Sequence, residues 1–119
     1  MNSDVLKKRT KEFALRIIKL VDTLPNTIAG KTIGKQVIRS GTSVAANYRA
    51  TCRARSRSEF VSKLGVVVEE ADETAFWLEI IVESNLLKKE LVAALLQEAN
   101  EITAIMVSAR MTSIRTNKT

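Results

Sequence analysis

The apolar residues of this chain recur every three or four positions, which is the spacing of one face of an α-helix. The first such segment starts at about Ser3 or Asp4 and continues to Leu24, which Pro25 follows. Because a residue before proline avoids the helical region, we expect the first helix to end at Leu24. Its apolar stripe consists of Leu6, Phe13, Ile17, Leu20 and Leu24.

The second segment runs from about Thr27 or Ile28 to near Cys52, and its apolar stripe is thin. The third begins at Ser56, because Ser56 and Glu59 have the spacing of a capping box, and it ends near Ser84 and Asn85. The apolar positions of the third segment are Phe60, Leu64, Val67, Ala71, Phe76 or Trp77, Ile80 and Ile81.

The fourth segment extends from about Leu87 to near Met111, and the polar stretch from Thr112 to Thr119 is expected to fray. Four amphipathic segments with short connections favour antiparallel neighbours. The pattern therefore predicts an all-α protein, an antiparallel up-down-up-down four-helix bundle that forms a single domain over residues 1–119. Its fourth stripe consists of Leu91, Leu95, Ala99, Ile102, Ile105 or Met106, and Ala109.

Composition supports one helical domain and favours a reducing compartment. The chain has 119 residues, of which 45% are hydrophobic and 4% aromatic, with one Pro and four Gly. Cys52 has no second cysteine to pair with, which fits a reducing compartment. The residues Met1 to Asp4 lack the pattern of a signal peptide, and no run of about 18 apolar residues predicts a membrane span. We therefore expect a cytoplasmic protein.

The chain lacks the residues of common catalytic sites. It contains no histidine, so a Ser-His or Cys-His pair cannot form, and it has no phosphate-binding glycine loop. Helix three carries an acidic cluster, but without histidine we expect a solvated or ion-paired face rather than a metal site. The cluster is Glu69, Glu70, Asp72 and Glu73. We predict a protein that is not an enzyme and that holds no catalytic residue, metal or cofactor.

The net charge of +6 suggests a polyanionic partner, and the position of the charge sharpens this. A basic segment lies at the corner between helices two and three, where arginine forks could bind phosphate oxygens. A second basic segment lies in helix one. The candidate nucleic-acid contacts are Arg49, Arg53, Arg55 and Arg57, followed by Lys7, Lys8, Arg9 and Lys11.

The fold predicts different roles for the basic residues of helix two. If helices two and three fold back on each other, Arg39 comes near Asp72 and Glu73 and is structural. Arg49 then comes near Lys63, so no acid on helix three neutralises it. The alternative is that the corner arginines are simply solvated, or pair with helix-three acids across subunits.

Aromatic residues favour packing over base stacking. Tyr48 and Trp77 could stack on bases, but within apolar stripes they are expected in the core or in subunit contacts. Tyr48, Val68, Phe76 and Trp77 lie on more than one helix face, so one bundle core should not bury them all. This pattern predicts a homo-oligomer.

Several motifs resemble one family, the four-helix bundle proteins first noted as reading frames in bacterial 23S rRNA intervening sequences. The resemblance covers about residues 10–110. Its helix-two motif is Gln36-x-x-Arg39-Ser40-x-x-Ser43-Val44-Ala45-Ala46-Asn47-Tyr48-Arg49-Ala50. Its helix-three motifs are Arg53-Ala54-Arg55-Ser56-x-x-Glu59-Phe60, Glu69-Glu70-Ala71-Asp72-Glu73 and Trp77-Leu78-Glu79.

The resemblance implies an antiparallel four-helix bundle that assembles as a ring-shaped homopentamer. Similar proteins include the accessory variability determinants of diversity-generating retroelements, which are basic pentamers that bind nucleic acid and a reverse transcriptase. The resemblance thus implies RNA or DNA and a reverse transcriptase as partners. The alternative is a protein-interaction scaffold without affinity for nucleic acid.

Overall fold

The computed structural model describes residues 2–117, which form four α-helices and contain no strand. The helices are α1 (Ser3–Val21), α2 (Ile28–Thr51), α3 (Arg57–Glu83) and α4 (Lys89–Asn117). Each helix packs along the next one in the chain, whereas α1 and α4 touch least. The predicted all-α, up-down-up-down bundle is confirmed, and the described residues span 52 × 22 × 20 Å.

One core runs through the bundle, because each helix turns an apolar stripe inward. Side chains that are completely buried come from every helix, among them Ile17, Val37, Leu78 and Ile102. On α4 the inward stripe begins at Val92, so the expectation for Leu91 is wrong: its side chain is 61% exposed. The remaining inward positions of α4 are Leu95, Ala99, Ile102 and Met106.

The first helix ends three residues earlier than predicted. After Val21 the chain tightens, because the amide of Thr23 donates to the Leu20 carbonyl at 3.0 Å and that of Leu24 donates to the Val21 carbonyl at 3.1 Å. These bonds span three residues rather than four, a common form for the last turn of a helix. The α-helix thus ends about one turn before Pro25 and not at the residue directly before it.

The capping residues begin α2 and α3 at the predicted positions. The Thr27 hydroxyl accepts a hydrogen bond from the Gly30 amide, and the Ser56 hydroxyl accepts one from the Glu59 amide, both at 3.0 Å. The second half of the predicted capping box is not formed. The Glu59 carboxylate instead lies 3.9 Å from the guanidinium of Arg55, an exposed neighbour.

The end of α3 near Ser84 and Asn85 is confirmed, and its geometry explains the residue types. Asn85 adopts a positive φ of 61°, a conformation that asparagine tolerates better than most residues. The Leu86 amide then donates to the Ile81 carbonyl at 3.1 Å, and the Asn85 amide donates to the Val82 carbonyl at the same distance. This pair of bonds is a Schellman motif, which reverses the chain toward α4.

The last helix starts later and ends later than predicted. It begins at Lys89 and continues to Asn117, so the predicted end at Met111 is wrong. Within this polar stretch Ser113 and Ile114 are half-buried, so the helix is not fully exposed beyond Met111. The rest of the segment expected to fray, Lys118 and Thr119, lies outside the described residues.

Close packing of α1 and α2 relies on two glycines. A side chain on Gly41 would lie 2.9 Å from carbon atoms of Ile17, and one on Gly30 would collide with the carbonyl oxygen of Pro25. The missing side chains let the two helices and their connection approach closely. Close approach is therefore required at Ile17 in the α1–α2 contact and at Pro25 in the connection.

Within the described residues, α4 is the one helix long and apolar enough to cross a membrane by length and composition alone. The expectation from the sequence, which found no such stretch, was therefore too strict. Core helices meet the same criterion, and α4 contributes Ala99, Ile102 and Met106 to the core. Its middle also carries Glu98, which forms an ion pair with α1.

Candidate nucleic-acid interface

Arg9 joins α1 to α4 through two acidic residues. Its guanidinium donates to both carboxylate oxygens of Glu98, at 2.8 and 2.6 Å, and to Glu101 at 3.0 Å. The side chains of Arg9 and Glu98 are only 22% and 17% exposed. The hydrogen bond to Glu98 raises the pKa of Arg9, and the Gln97 amide and Arg9 lower the pKa of Glu101. Arg9, one of the candidate contacts, is therefore already neutralised.

Arg39 joins α2 to α3, as predicted, but one of its expected partners is wrong. It pairs with Glu73 and with Glu70, the latter at 3.0 Å, whereas Asp72 is exposed and makes no bond to it. Glu70 and Glu73 lie on one face of α3, three residues apart, and Asp72 is turned about 100° away from Glu73. The hydrogen bond from Arg39 lowers the pKa of Glu73, and the indole of Trp77 also donates to Glu73, at 3.1 Å.

A groove on the outer side of α1 and α2 collects cations that the sequence placed in two separate segments. Antiparallel packing sets the beginning of α1 beside the end of α2, so their outward side chains converge. We define the basic groove as this cavity of about 810 Å³. Its cations are Lys7, Lys8, Lys11, Arg49 and Arg53, and its remaining lining is Thr42, Ala45, Ala46 and Cys52.

The charges of the basic groove are almost unopposed. Arg49 and Arg53 are exposed and have no acidic partner within residues 2–117, and the same holds for Lys8 and Lys11. Lys7 lies 3.5 Å from Asp4, whose side chain is 90% exposed, so solvent screens that pair strongly. The groove thus concentrates positive charge over a small, largely neutral floor.

The other two corner arginines lie beside the groove rather than in it. Arg55 and Arg57 are exposed at the connection to α3, and neither lines the cavity. Arg55 has the weak contact to Glu59 described above, in which the arginine side chain is 91% exposed. Both remain accessible to a long ligand that extends past Arg53.

The aromatic residues take no part in the basic groove. Tyr48 is buried in the core, the first of the two positions expected for it, and this burial raises the pKa of its phenol. Phe76 is 51% exposed, and its ring meets that of Trp77 edge-on at 5.0 Å. Trp77 is half-buried against the core.

Sequence reasoning missed the groove floor and the separation of charge. Thr42, Ala45 and Ala46 carry no chemical signal of their own, and only the neighbouring helix makes them a floor. The charge separation does have a signal: residues 1–57 hold 13 basic and 3 acidic side chains, whereas residues 58–119 hold 6 and 10. In a bundle with consecutive neighbours, this division makes the α1–α2 side basic and the α3–α4 side acidic.

The acidic cluster of α3 is divided between two environments. Glu70 and Glu73 hold Arg39, while Glu69 and Asp72 face solvent. Residues 2–117 contain no group of three or more His, Cys, Asp or Glu side chains that could hold a metal ion. The expected ion-paired or solvated face is what the geometry contains.

The four helices define a small helical-bundle protein of a known class. The family model described as 23S rRNA-intervening sequence protein matches residues 2–108. The chain therefore belongs to the 23S rRNA-intervening sequence protein family, as its motifs indicated.

A solved structure supports the same assignment. The chain is similar to a protein of unknown function from the S23 ribosomal protein family of Bacteroides thetaiotaomicron, at 34% identity and a TM-score of 0.85. The match covers 93% of this chain and 99% of that one. No curated protein matches the chain.

Proposed function

We propose that this protein is a non-enzymatic nucleic-acid-binding accessory protein that holds phosphates in the basic groove. The observation that carries the proposal is the convergence of Lys7, Lys8 and Lys11 from α1 with Arg49 and Arg53 at the end of α2. Within residues 2–117, Asp4 is the one acid in contact with any of them. Arginine and lysine neutralise phosphates and release counterions, which supplies affinity without reading the sequence.

The lining of the groove supports low sequence preference. Its floor is made by alanine and threonine side chains, which offer neither aromatic surfaces for stacking nor planar amides for base edges. When the five cations of the basic groove each contact a phosphate, the affinity for nucleic acid should fall steeply as the salt concentration rises. For a single strand, five contacts predict a loss of about 10²-fold between 50 and 200 mM salt.

The test compares two arginine pairs in the full-length protein. Changing Arg49→Ser and Arg53→Ser together removes two groove charges, whereas Arg16→Ser with Arg115→Ser removes two exposed charges outside the groove. Fluorescence anisotropy with a labelled oligonucleotide should show that the first variant lowers the slope of log K against log salt by about 1.4. The control variant should leave the slope close to that of the unmodified protein.

The scaffold alternative makes a different prediction for the same variants. If the arginines pair with α3 acids of another subunit, the groove variant changes the mass measured by light scattering rather than the affinity for nucleic acid. Failure of the unmodified protein to bind nucleic acid at low salt would also contradict the proposal.

We also propose that the protein is a homo-oligomer, with the pentamer as the state that the family resemblance implies. Large apolar side chains remain outward on α3 and α4: Phe76 is 51% exposed, Leu91 61% and Met111 45%. Contact between subunits would bury such side chains. Light scattering at micromolar concentration tests this, and a monomer would contradict it.

Two further expectations accompany the proposal. The reverse transcriptase implied by the resemblance is proposed as a protein partner, and a pull-down with the product of a neighbouring reverse transcriptase gene would test it. The cytoplasmic location stays a prediction from the sequence, because residues 2–117 hold no feature specific to a compartment.

A further inference from the structure

The basic groove occupies only one end of a longer stripe on α2. Helix positions three or four residues apart share a face, and α2 carries such a series along its outer side toward α1. Its members, in chain order, are Lys31, Lys35, Ile38, Thr42, Ala45 and Arg49, and Arg53 follows two residues after the end of α2. From Lys31 to Arg49 the series rises by about 27 Å.

A second cavity lies at the opposite end of this stripe. It measures about 400 Å³ and is lined by Val21 and Leu24 from the end of α1 and its turn, and by Lys31, Lys35 and Ile38 from α2. We call it the far cavity. Lys31 and Lys35 are exposed and have no acidic partner within residues 2–117, and no acidic residue lines either cavity.

Between the two cavities, α1 exposes two aliphatic side chains. On α1, Leu15 and Ile18 follow Lys11 by four and seven residues and therefore share its outer face, and their side chains are 53% and 37% exposed. On α2, Ile38 and Thr42 are half-buried opposite them. The α1–α2 side thus has cations at both ends and exposed aliphatic side chains between them.

We propose that a single-stranded RNA or DNA segment lies along the whole α1–α2 side, with phosphates at the basic groove and at Lys31 and Lys35. This inference rests on the function proposed above and extends its site by two residues. The aliphatic middle selects a single strand, because only unpaired bases can turn their faces onto Leu15, Ile18 and Ile38. A duplex stacks those faces inside and would place charged backbone over apolar side chains instead.

The extended site predicts a dependence on ligand length. Single-strand sites on one OB-fold domain span about 4–16 nucleotides, so a strand of about three nucleotides is shorter and one of about twenty nucleotides is longer than such a site. The first can occupy the basic groove alone, whereas the second can reach the far cavity. The test uses oligothymidylates of these two lengths, each labelled at one end.

The decisive variant is Lys31→Ser with Lys35→Ser, and its control is Lys88→Ser with Lys89→Ser. The control removes the same charge from exposed positions at the same end of the bundle but outside the α1–α2 side. The decisive variant should weaken binding of the long strand about 20-fold at 0.1 M salt and lower its salt slope by about 1.4. Binding of the short strand should stay unchanged, and the control should alter neither.

Several results would overturn the inference. In one, the Lys31 and Lys35 variant binds the long strand as tightly as the unmodified protein does, while the Arg49 and Arg53 variant binds both strands more weakly. The proposed function would then stand without the extension. A second is equal affinity for a twenty-base-pair duplex and the long single strand. A third is a different mass for the Lys31 and Lys35 variant than for the unmodified protein in light scattering, which would make this side a contact between copies of the chain.

A different result is expected if the proposed function itself is wrong. In that case the unmodified protein binds neither length at low salt, and both proposals are wrong. Circular dichroism on each variant checks that the helices are retained, so that a loss of affinity is attributed to the missing charges. If the Lys31 and Lys35 variant is less helical, the charge-retaining variant Lys31→Arg with Lys35→Arg must bind the long strand like the unmodified protein, or the inference is wrong.

Discussion

The α1–α2 side of the bundle holds most of the cations and the α3–α4 side most of the acids, and the two sets form close ion pairs along two seams, where α1 meets α4 and where α2 meets α3. Arg9 crosses from α1 to Glu98 and Glu101 on α4, and Arg39 crosses from α2 to α3. Arg49 and Arg53 lie on the same two-helix side, and within residues 2–117 they form no ion pair with an acid of α3 or α4. Position relative to a seam, rather than residue type, therefore separates a structural arginine from one available to a partner.

Packing distinguishes the two sides less sharply than charge does. Gly41 of α2 lets α1 and α2 approach closely at Ile17. Large exposed apolar side chains, however, occur on both sides: Leu15 and Ile28 on the first, Phe76 and Leu91 on the second. Exposed apolar surface therefore does not separate the two sides.

The largest expected effect tests the close packing of the α1–α2 side. Gly30→Ala places a methyl group against the Pro25 carbonyl oxygen, which belongs to the backbone and cannot rotate away. We expect a loss of about 3 kcal/mol in the free energy of unfolding, measured by urea denaturation. Gly34→Ala is the control, because its methyl group meets flexible atoms of Leu24 and Val21 at 3.3 Å. An equal loss in both variants would show that the contact with the Pro25 carbonyl is not the cause.

The next effect separates seam arginines from groove arginines. Arg9→Ala leaves Glu98, whose side chain is 17% exposed, without its partner, and should lower the free energy of unfolding by about 2 kcal/mol. Arg49→Ala removes an exposed charge without a partner and should change it by less than about 0.5 kcal/mol. Affinity for nucleic acid should show the opposite order. If both variants lower stability alike, the distinction between seam and groove is wrong.

A smaller effect concerns the start of the acidic half. Ser56→Ala removes the hydroxyl that accepts the Glu59 amide at 3.0 Å and should cost about 1 kcal/mol of stability. Thr27→Ala at the start of α2 should cost a similar amount, because its hydroxyl caps Gly30 in the same geometry. Ser58→Ala, at an exposed position inside the first turn, serves as the control for thermal unfolding and should leave the midpoint nearly unchanged.

The smallest effect is a pH dependence that originates at the seams. Arg39 holds the pKa of Glu73 below its ordinary value of 4.5, so the unfolded chain binds a proton at a higher pH than the folded one. The seam therefore stabilises the fold above about pH 4.5, and this contribution is lost as the pH falls through the lowered pKa of Glu73. Thermal unfolding between pH 3 and 6 should be less pH-dependent in Arg39→Ala than in the unmodified protein. An equally steep dependence in both would assign the effect to other carboxylates.

The sequence alone determined those features whose causes are local. The helical period, the Thr27 and Ser56 caps, the turn at Asn85 and the inward stripes depend on residues within one or two turns of each other, and each is present at or near the predicted position. The motifs of α2 and α3 likewise identified the family. The early end of α1 has a local explanation as well, since hydrogen bonds that span three residues close its last turn before Pro25.

Only the tertiary structure decided which charges meet. Periodicity gives the angle of a side chain about its own helix axis, but not how far a neighbouring helix is rotated or shifted along that axis. A rotation of one residue is enough to exchange Asp72 for Glu70 as a partner of Arg39, and the sequence holds no signal for it. The same limit hid the pairing of Arg9 with α4 and the union of Lys7, Lys8 and Lys11 with Arg49 and Arg53. Both depend on contacts between helices that are distant in sequence, and packing of the core sets those contacts.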